Sequence, residues 1–197
     1  MNKTKTQNLT YLALFMAIEV VMIMVPFLGF IPIGPLRATT LHIPVIIAAI
    51  VLGRKQGCYV GLVFGLCSLV MNTVQPTATS FVFSPFISGN LLSAVVAIVP
   101  RVMIGFVAGS IYDLLKNKND LLAMGAGSFL GALTNTVLVL GGIFVLFGSQ
   151  YANAIGKSYN ALMPYFMTIV TTQSLLEAVV GSIIAVAVSK AVLKVKK

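Results

Sequence analysis

Glu19, Arg101, Asn135 and Glu177 are polar residues set inside runs that are otherwise apolar. A charge or an amide within an apolar helix is costly unless it faces protein, a cavity or a ligand. Flanking charges set their depth: Arg101 precedes Lys116, Asn135 follows Asp120 and Glu177 precedes Lys190 by nearly equal stretches. At ~1.5 Å per residue each lies ~20 Å from those markers, within one layer of a hydrocarbon core ~30 Å thick. Three segments thus offer a cation, an amide and a carboxylate at one level, which favours a ligand site. The alternative is an internal Arg101–Glu177 pair that fixes packing, and equal depth leaves both open. Glu19 reaches a similar layer when counted from Lys5, but depth alone does not say which way it faces.

Other chemistries find little support. The sole histidine, His42, opens an apolar run with no nucleophile constellation around it, so a hydrogen-bonding or ligand-touching role suits it better than catalysis. Gly156-Lys157-Ser158 ends like a phosphate-binding loop, but Tyr151 stands where the first glycine belongs. Cys58 and Cys67 share one apolar run at a separation unsuited to a disulfide or to metal ligation, and read as reduced packing residues. No catalytic residue, metal site or bound cofactor is expected.

The elements that must hold these residues are membrane spans. Of 197 residues, 58% are hydrophobic and 9% charged, far below the quarter charged that is usual in soluble domains. The expected fold is an all-α integral membrane bundle of six transmembrane helices, with residues 1–197 forming a single transmembrane domain. Apolar runs place the spans near Leu9–Phe27, Leu41–Leu52, Gln56–Met71, Asn90–Leu115, Leu121–Phe147 and Pro164–Val188. The second is short for a crossing unless part of the preceding loop dips into the membrane. Gly29 to Pro35 is too rich in Gly and Pro to continue a helix, and Asn72 to Ser80 is a polar loop. The first run has no small-residue cleavage site and is expected to be retained.

Net charge is +9, yet the basic residues gather at span ends rather than on a nucleic-acid-binding face. Lys3, Lys5, Arg54, Lys55, Lys116, Lys118, Lys190, Lys194, Lys196 and Lys197 fall on one side, against Arg37 and Lys157 on the other. The positive-inside rule then puts both termini in the cytoplasm. Tyrosines near span ends, such as Tyr11, Tyr112, Tyr151 and Tyr165, agree with interfacial positions.

Small residues recur at fourfold spacing: Gly53, Gly57, Gly61 and Gly65, then Gly105 and Gly109, then Gly127 and Gly131. Such spacing lets backbones approach closely, and packing within the chain should account for most of it. Ala13 and Ala17 form a weaker pair on the first span that could serve a partner helix instead.

Taken in order, several patterns resemble the substrate-binding S components of energy-coupling factor (ECF) vitamin transporters. They are Ala13-x-x-x-Ala17, the run Leu41 to Ala49 leading into Leu52-Gly53, the glycine ladder, the loop from Asn72 to Phe86, and Val99-Pro100-Arg101 followed by Gly105. The resemblance implies a multi-pass protein of the bacterial cell membrane that captures a vitamin on its extracytoplasmic side. It also implies docking on a transmembrane coupling subunit, with ATP bound by two separate ATPase subunits. Ala13 and Ala17 would contact the coupling subunit. Arg37, His42, Asn72, Thr79, Ser84, Asn90, Arg101, Asn135 and Glu177 lie where the family encloses its ligand. The loop and the Pro100-Arg101 region look most similar to pantothenate-type components, and pantothenate offers a carboxylate for Arg101. Pyridoxine or hydroxymethylpyrimidine as the vitamin stays open, as does a self-sufficient secondary transporter.

Overall fold

The computed structural model describes residues 3–25, 28–33 and 36–196, with side chains described for 6–25, 28–29 and 39–195. Helix α1 spans Lys3–Met24, followed by strands β1 (Phe30–Ile33) and β2 (Leu36–Thr39), then α2 (His42–Leu52) and α3 (Arg54–Val74). A 3-10 turn at Ser80–Val82 and the one-turn helix α4 (Pro85–Ser88) cross to α5 (Leu92–Leu115) and α6 (Asp120–Ala154). A second 3-10 turn (Tyr159–Ala161) leads into α7 (Leu162–Ile169), a π-helical turn (Val170–Ser174) and α8 (Leu175–Lys196), which together make the last span. Five of these segments are long and apolar enough to cross a membrane, and α2 is the shorter sixth. The chain is an all-α multi-pass bundle, as its hydropathy predicts.

The span boundaries moved outward in places. Helix α3 continues to Val74, so Asn72 and Thr73 are helical rather than in the loop, and α6 runs to Ala154 rather than to Phe147. Polar residues at a membrane surface can still be helical, and hydropathy registers only where the apolar run stops. The Gly- and Pro-rich stretch does not stay irregular: β1 and β2 pair antiparallel, Phe30 with Thr39 and Ile33 with Leu36.

The glycine ladder packs α3 on α2 and α5. A Cβ on Gly57 would lie 2.5 Å from the Ala49 Cβ, and one on Gly65 would lie 2.8 Å from the Ile98 Cα. A Cβ on Gly61 would collide with the Arg101 carbonyl, and one on Gly105 with the backbone of Gly57 and Cys58. Helix axes can come this close only where side chains are absent. Gly127 and Gly131 do the same for α6 against Ala108.

Helix α2 sits at the centre, in contact with α1, α3, α5, α6 and α8. Every residue from His42 to Val51 is buried. The main core gathers around it, with Phe15 and Ile23 of α1, Val60 and Phe64 of α3, Ile104 of α5, Met124 of α6 and Ala178 of α8. A second cluster caps the far end of α6, where Phe147 and Ala152 meet Val82, Leu162 and Phe166. Since successive helices alternate in direction, the hairpin, the 75–91 loop and the 155–161 loop share one end of the bundle. Gly53 and the 116–119 turn lie at the other.

Candidate ligand site

Helix α5 carries a proline in its interior, Pro100. Proline has no N–H, so the carbonyl four residues earlier, at Val96, loses its helical partner. Arg101 supplies one: its Nη1 donates to the Val96 oxygen at 2.9 Å. Long side chains on a helix lean towards its N-terminus, so the guanidinium points to the hairpin end. There its central carbon lies 5.5 Å from the Phe64 ring centroid and 5.1 Å from that of Phe83. Arg101 is 7% exposed, and its Nε has no hydrogen-bond partner. Among the described residues the one salt bridge is Lys116–Asp113, at the opposite end. Arg101 is therefore a buried cation held by two ring faces and one carbonyl, with a donor left open. An anion beside it would be favoured, because a charge-assisted bond would offset the desolvation of both groups.

Asn135 lies level with it. Gly131 packs against Ile104 and Ala108, and Gly142 against Val96, so the register of α6 on α5 brings Asn135 to the Arg101 layer. The Asn135 Oδ1 is buried without a partner. Glu177 is engaged elsewhere. Its carboxylate accepts from the Thr39 hydroxyl at 2.8 Å and from Gln173 Nε2 at 2.7 Å, which ties β2 to the π-helical turn. The internal Arg101–Glu177 pair is absent among the described residues, and Glu177 instead fastens the hairpin to the last span.

The loop residues hold one another. Asn72 donates to the Ser68 carbonyl at 2.8 Å and accepts from the Ser80 hydroxyl at 2.9 Å. Ser84 is fully buried and shares a 2.7 Å hydrogen bond with Thr73. Thr79 is half-buried at the start of the 3-10 turn. Asn90 is exposed, and its Oδ1 accepts from the Leu92 N–H at 3.0 Å at the head of α5. This network fixes the loop that carries Phe83 over Arg101. His42 is 5% exposed, with its Nε2 unpartnered against Gly181 of α8. The side chain of Arg37 lies outside the described residues, although its backbone pairs with Pro32 in the hairpin. Glu19 is fully buried between Phe15 and Ile23 on the inner face of α1, and neither carboxylate oxygen has a partner.

Phe64, Phe83, Thr39 and Gln173 escaped the sequence reading. A phenylalanine in an apolar run reads as core or lipid-facing, and only the rotation of its helix shows that it covers a cation. An apolar cavity of about 370 Å³ between α1, α2 and α8, lined by Phe15, Met22, Thr40, Ile43, Ile47 and Ile184, lies apart from Arg101. Its lining suits hydrocarbon, so the polar layer is the better site for a small charged ligand.

On the outer face of α1, Ala13 and Ala17 are exposed beside Leu14, Ile18 and Val21. The opposite face supplies Phe15, Glu19 and Ile23 to the interior. The small pair is thus left largely uncovered by the rest of the bundle.

Residues 7–189 match the family described as the ECF transporter, substrate-specific component. The chain is similar to the pantothenic acid transporter PanT of Lactococcus lactis subsp. cremoris, with 36% identity over 203 residues, covering 100% of this chain and 98% of the relative. It is also similar to the pantothenate transporter PanT of Leuconostoc mesenteroides subsp. mesenteroides, with 31% identity over 198 residues, covering 95% and 93%. The family match covers almost the whole chain and agrees with the multi-pass bundle, and the chain belongs to the substrate-specific components of ECF transporters.

Proposed function

We propose that the chain captures pantothenate at the hairpin end and delivers it to an ECF module. The observation that carries this is Arg101, a buried guanidinium with an open donor and no acidic partner among the described residues. Pantothenate brings a carboxylate for that guanidinium, and an amide and hydroxyls for neighbours such as Asn135. Two similar proteins that bear the pantothenate name support the same vitamin. Neutral precursors such as pyridoxine would leave the cation without a counter-charge. The abundance of Lys and Arg near the chain ends, Gly53 and the 116–119 turn supports a cytoplasmic placement of that side under the positive-inside rule. The ligand then enters from outside and leaves unaltered, with no bond made or broken by this chain.

Equilibrium binding by the purified chain is the direct test. Pantothenate should raise its unfolding midpoint by mass action, equivalent to ~2.7 kcal/mol at a hundredfold excess over Kd. Pyridoxine, hydroxymethylpyrimidine and thiamin should not. A homogeneous preparation should hydrolyse no ATP, since no phosphate loop is encoded. Intrinsic ATPase activity, or tighter binding of a neutral vitamin, would count against the proposal.

The exposed Ala13–Ala17 face is the surface proposed to meet the transmembrane coupling subunit, which in turn works with two ATPases. Ala13→Trp and Ala17→Trp should reduce co-purification with that module several-fold while leaving pantothenate affinity within about twofold, because close helix approach needs small side chains. Unchanged co-purification would move the docking surface elsewhere.

A further inference from the structure

Arg101 would be an ordinary flexible side chain but for the residue before it. In an uninterrupted helix the Val96 carbonyl would accept from the N–H of residue 100. Pro100 has no N–H, and its ring also pushes that carbonyl off the helix axis. The exposed oxygen is the one to which Arg101 Nη1 donates. Val96 and this hydrogen bond are buried, so little solvent competes for the carbonyl. The hydrogen bond pins Nη1, the guanidinium carbon sits over the rings of Phe64 and Phe83, and Nε has no hydrogen-bond partner.

We propose that Pro100 is a positioning residue for anion recognition: by freeing the Val96 carbonyl it aims Arg101 at the ligand's carboxylate. The idea rests on the reading of Arg101 as the ligand's anion contact. Pre-orienting a side chain lowers the entropy lost when the ligand arrives, and a guanidinium fork rewards correct alignment more than an ammonium does. An N–H restored at position 100 would occupy the Val96 oxygen within the helix and release Nη1. Arg101 would keep its charge and lose its aim.

The test compares pantothenate with its alcohol analogue, in which a CH2OH group replaces the carboxylate, on Pro100→Ala, Pro100→Val and Arg101→Ala. Both proline variants supply the missing N–H but differ in volume, so an effect common to them belongs to the N–H rather than to packing. Alanine and valine are also better helix formers than proline, which keeps the bundle folded. Each should weaken pantothenate binding about tenfold, the loss of one well-aligned charge-assisted hydrogen bond. The alcohol analogue should change by no more than about twofold in both variants. Combined with Arg101→Ala, Pro100→Ala should have no further effect on either compound.

If Arg101→Ala removes the preference for the acid but the proline variants keep it, the positioning role is wrong and the anion contact stands. Equal weakening of acid and alcohol by the proline variants, persisting when Arg101 is absent, would show that Pro100 only shapes the helix. If Arg101→Ala itself weakens both compounds equally, the anion contact is wrong and the role of Pro100 falls with it. That failure shows in the arginine variant alone.

Discussion

Arg101→Ala should bind pantothenate more than about tenfold more weakly than the unaltered chain, while keeping its fold. Removing one member of a buried charge-assisted pair costs ~2–5 kcal/mol, and each ~1.4 kcal/mol is a factor of ten in Kd. The fold should survive because no acidic group among the described residues pairs with Arg101: Glu177 is satisfied by Thr39 and Gln173. What the bundle loses is one hydrogen bond to the Val96 carbonyl and two ring contacts. Arg101→Lys should recover only part of the affinity. An ammonium cannot bond a carbonyl and a carboxylate through one rigid plane. Calorimetric titration of pantothenate and its alcohol analogue against monodisperse protein decides the matter. If the unaltered chain binds both equally and the substitution weakens both equally, the carboxylate is not what Arg101 reads.

The second large effect is on stability. Gly105→Val should sharply lower the unfolding midpoint and the yield of monodisperse protein. The new Cβ would meet backbone atoms of Gly57 and Cys58, and backbone cannot rotate away as a side chain can. Helices α3 and α5 would have to separate along the seam that also seats Gly61 against Arg101. Overpacking of a fitted interface costs ~1–3 kcal/mol or more, and a backbone contact belongs at the upper end. Gly141→Ala is the control: it lies on α6 with open space around its Cβ position, and should be neutral or slightly stabilising. If both substitutions shift the midpoint alike, the ladder is not a close-packed seam.

Hydropathy alone located the spans, because composition along the chain is what a bilayer selects. The glycine spacing also announced its seam, since only small residues permit such contact. Depth was legible too: Arg101 and Asn135 do share a layer. Rotation was not. Nothing in the spacing says that Glu177 turns towards Thr39 rather than Arg101, or that Phe64 lies under a guanidinium. The hairpin was hidden for another reason. Pro32 and the Gly34-Pro35 step read as breakers, yet a two-stranded ribbon has free edges where proline is tolerated. Pro100 was noticed only as part of the Val99-Pro100-Arg101 pattern, and the carbonyl it freed, and the side chain that took it, needed coordinates.

Helix α2 has one more consequence, for biogenesis. Its 11 residues span only ~16 Å at ~1.5 Å per residue, about half of a ~30 Å hydrocarbon layer. Its seat is built largely from helices made after it. His42 closes against Gly181 of α8, made far later in the chain, and Ala49 against Gly57. A ribosome therefore releases α2 long before the wall that encloses its histidine exists. During that interval the polar start of α2 must wait at the membrane surface or be shielded by an insertion factor. The last helix then acts as a latch on the second, so arrest of synthesis before α8 should leave a chain that quality-control proteases recognise as unfinished.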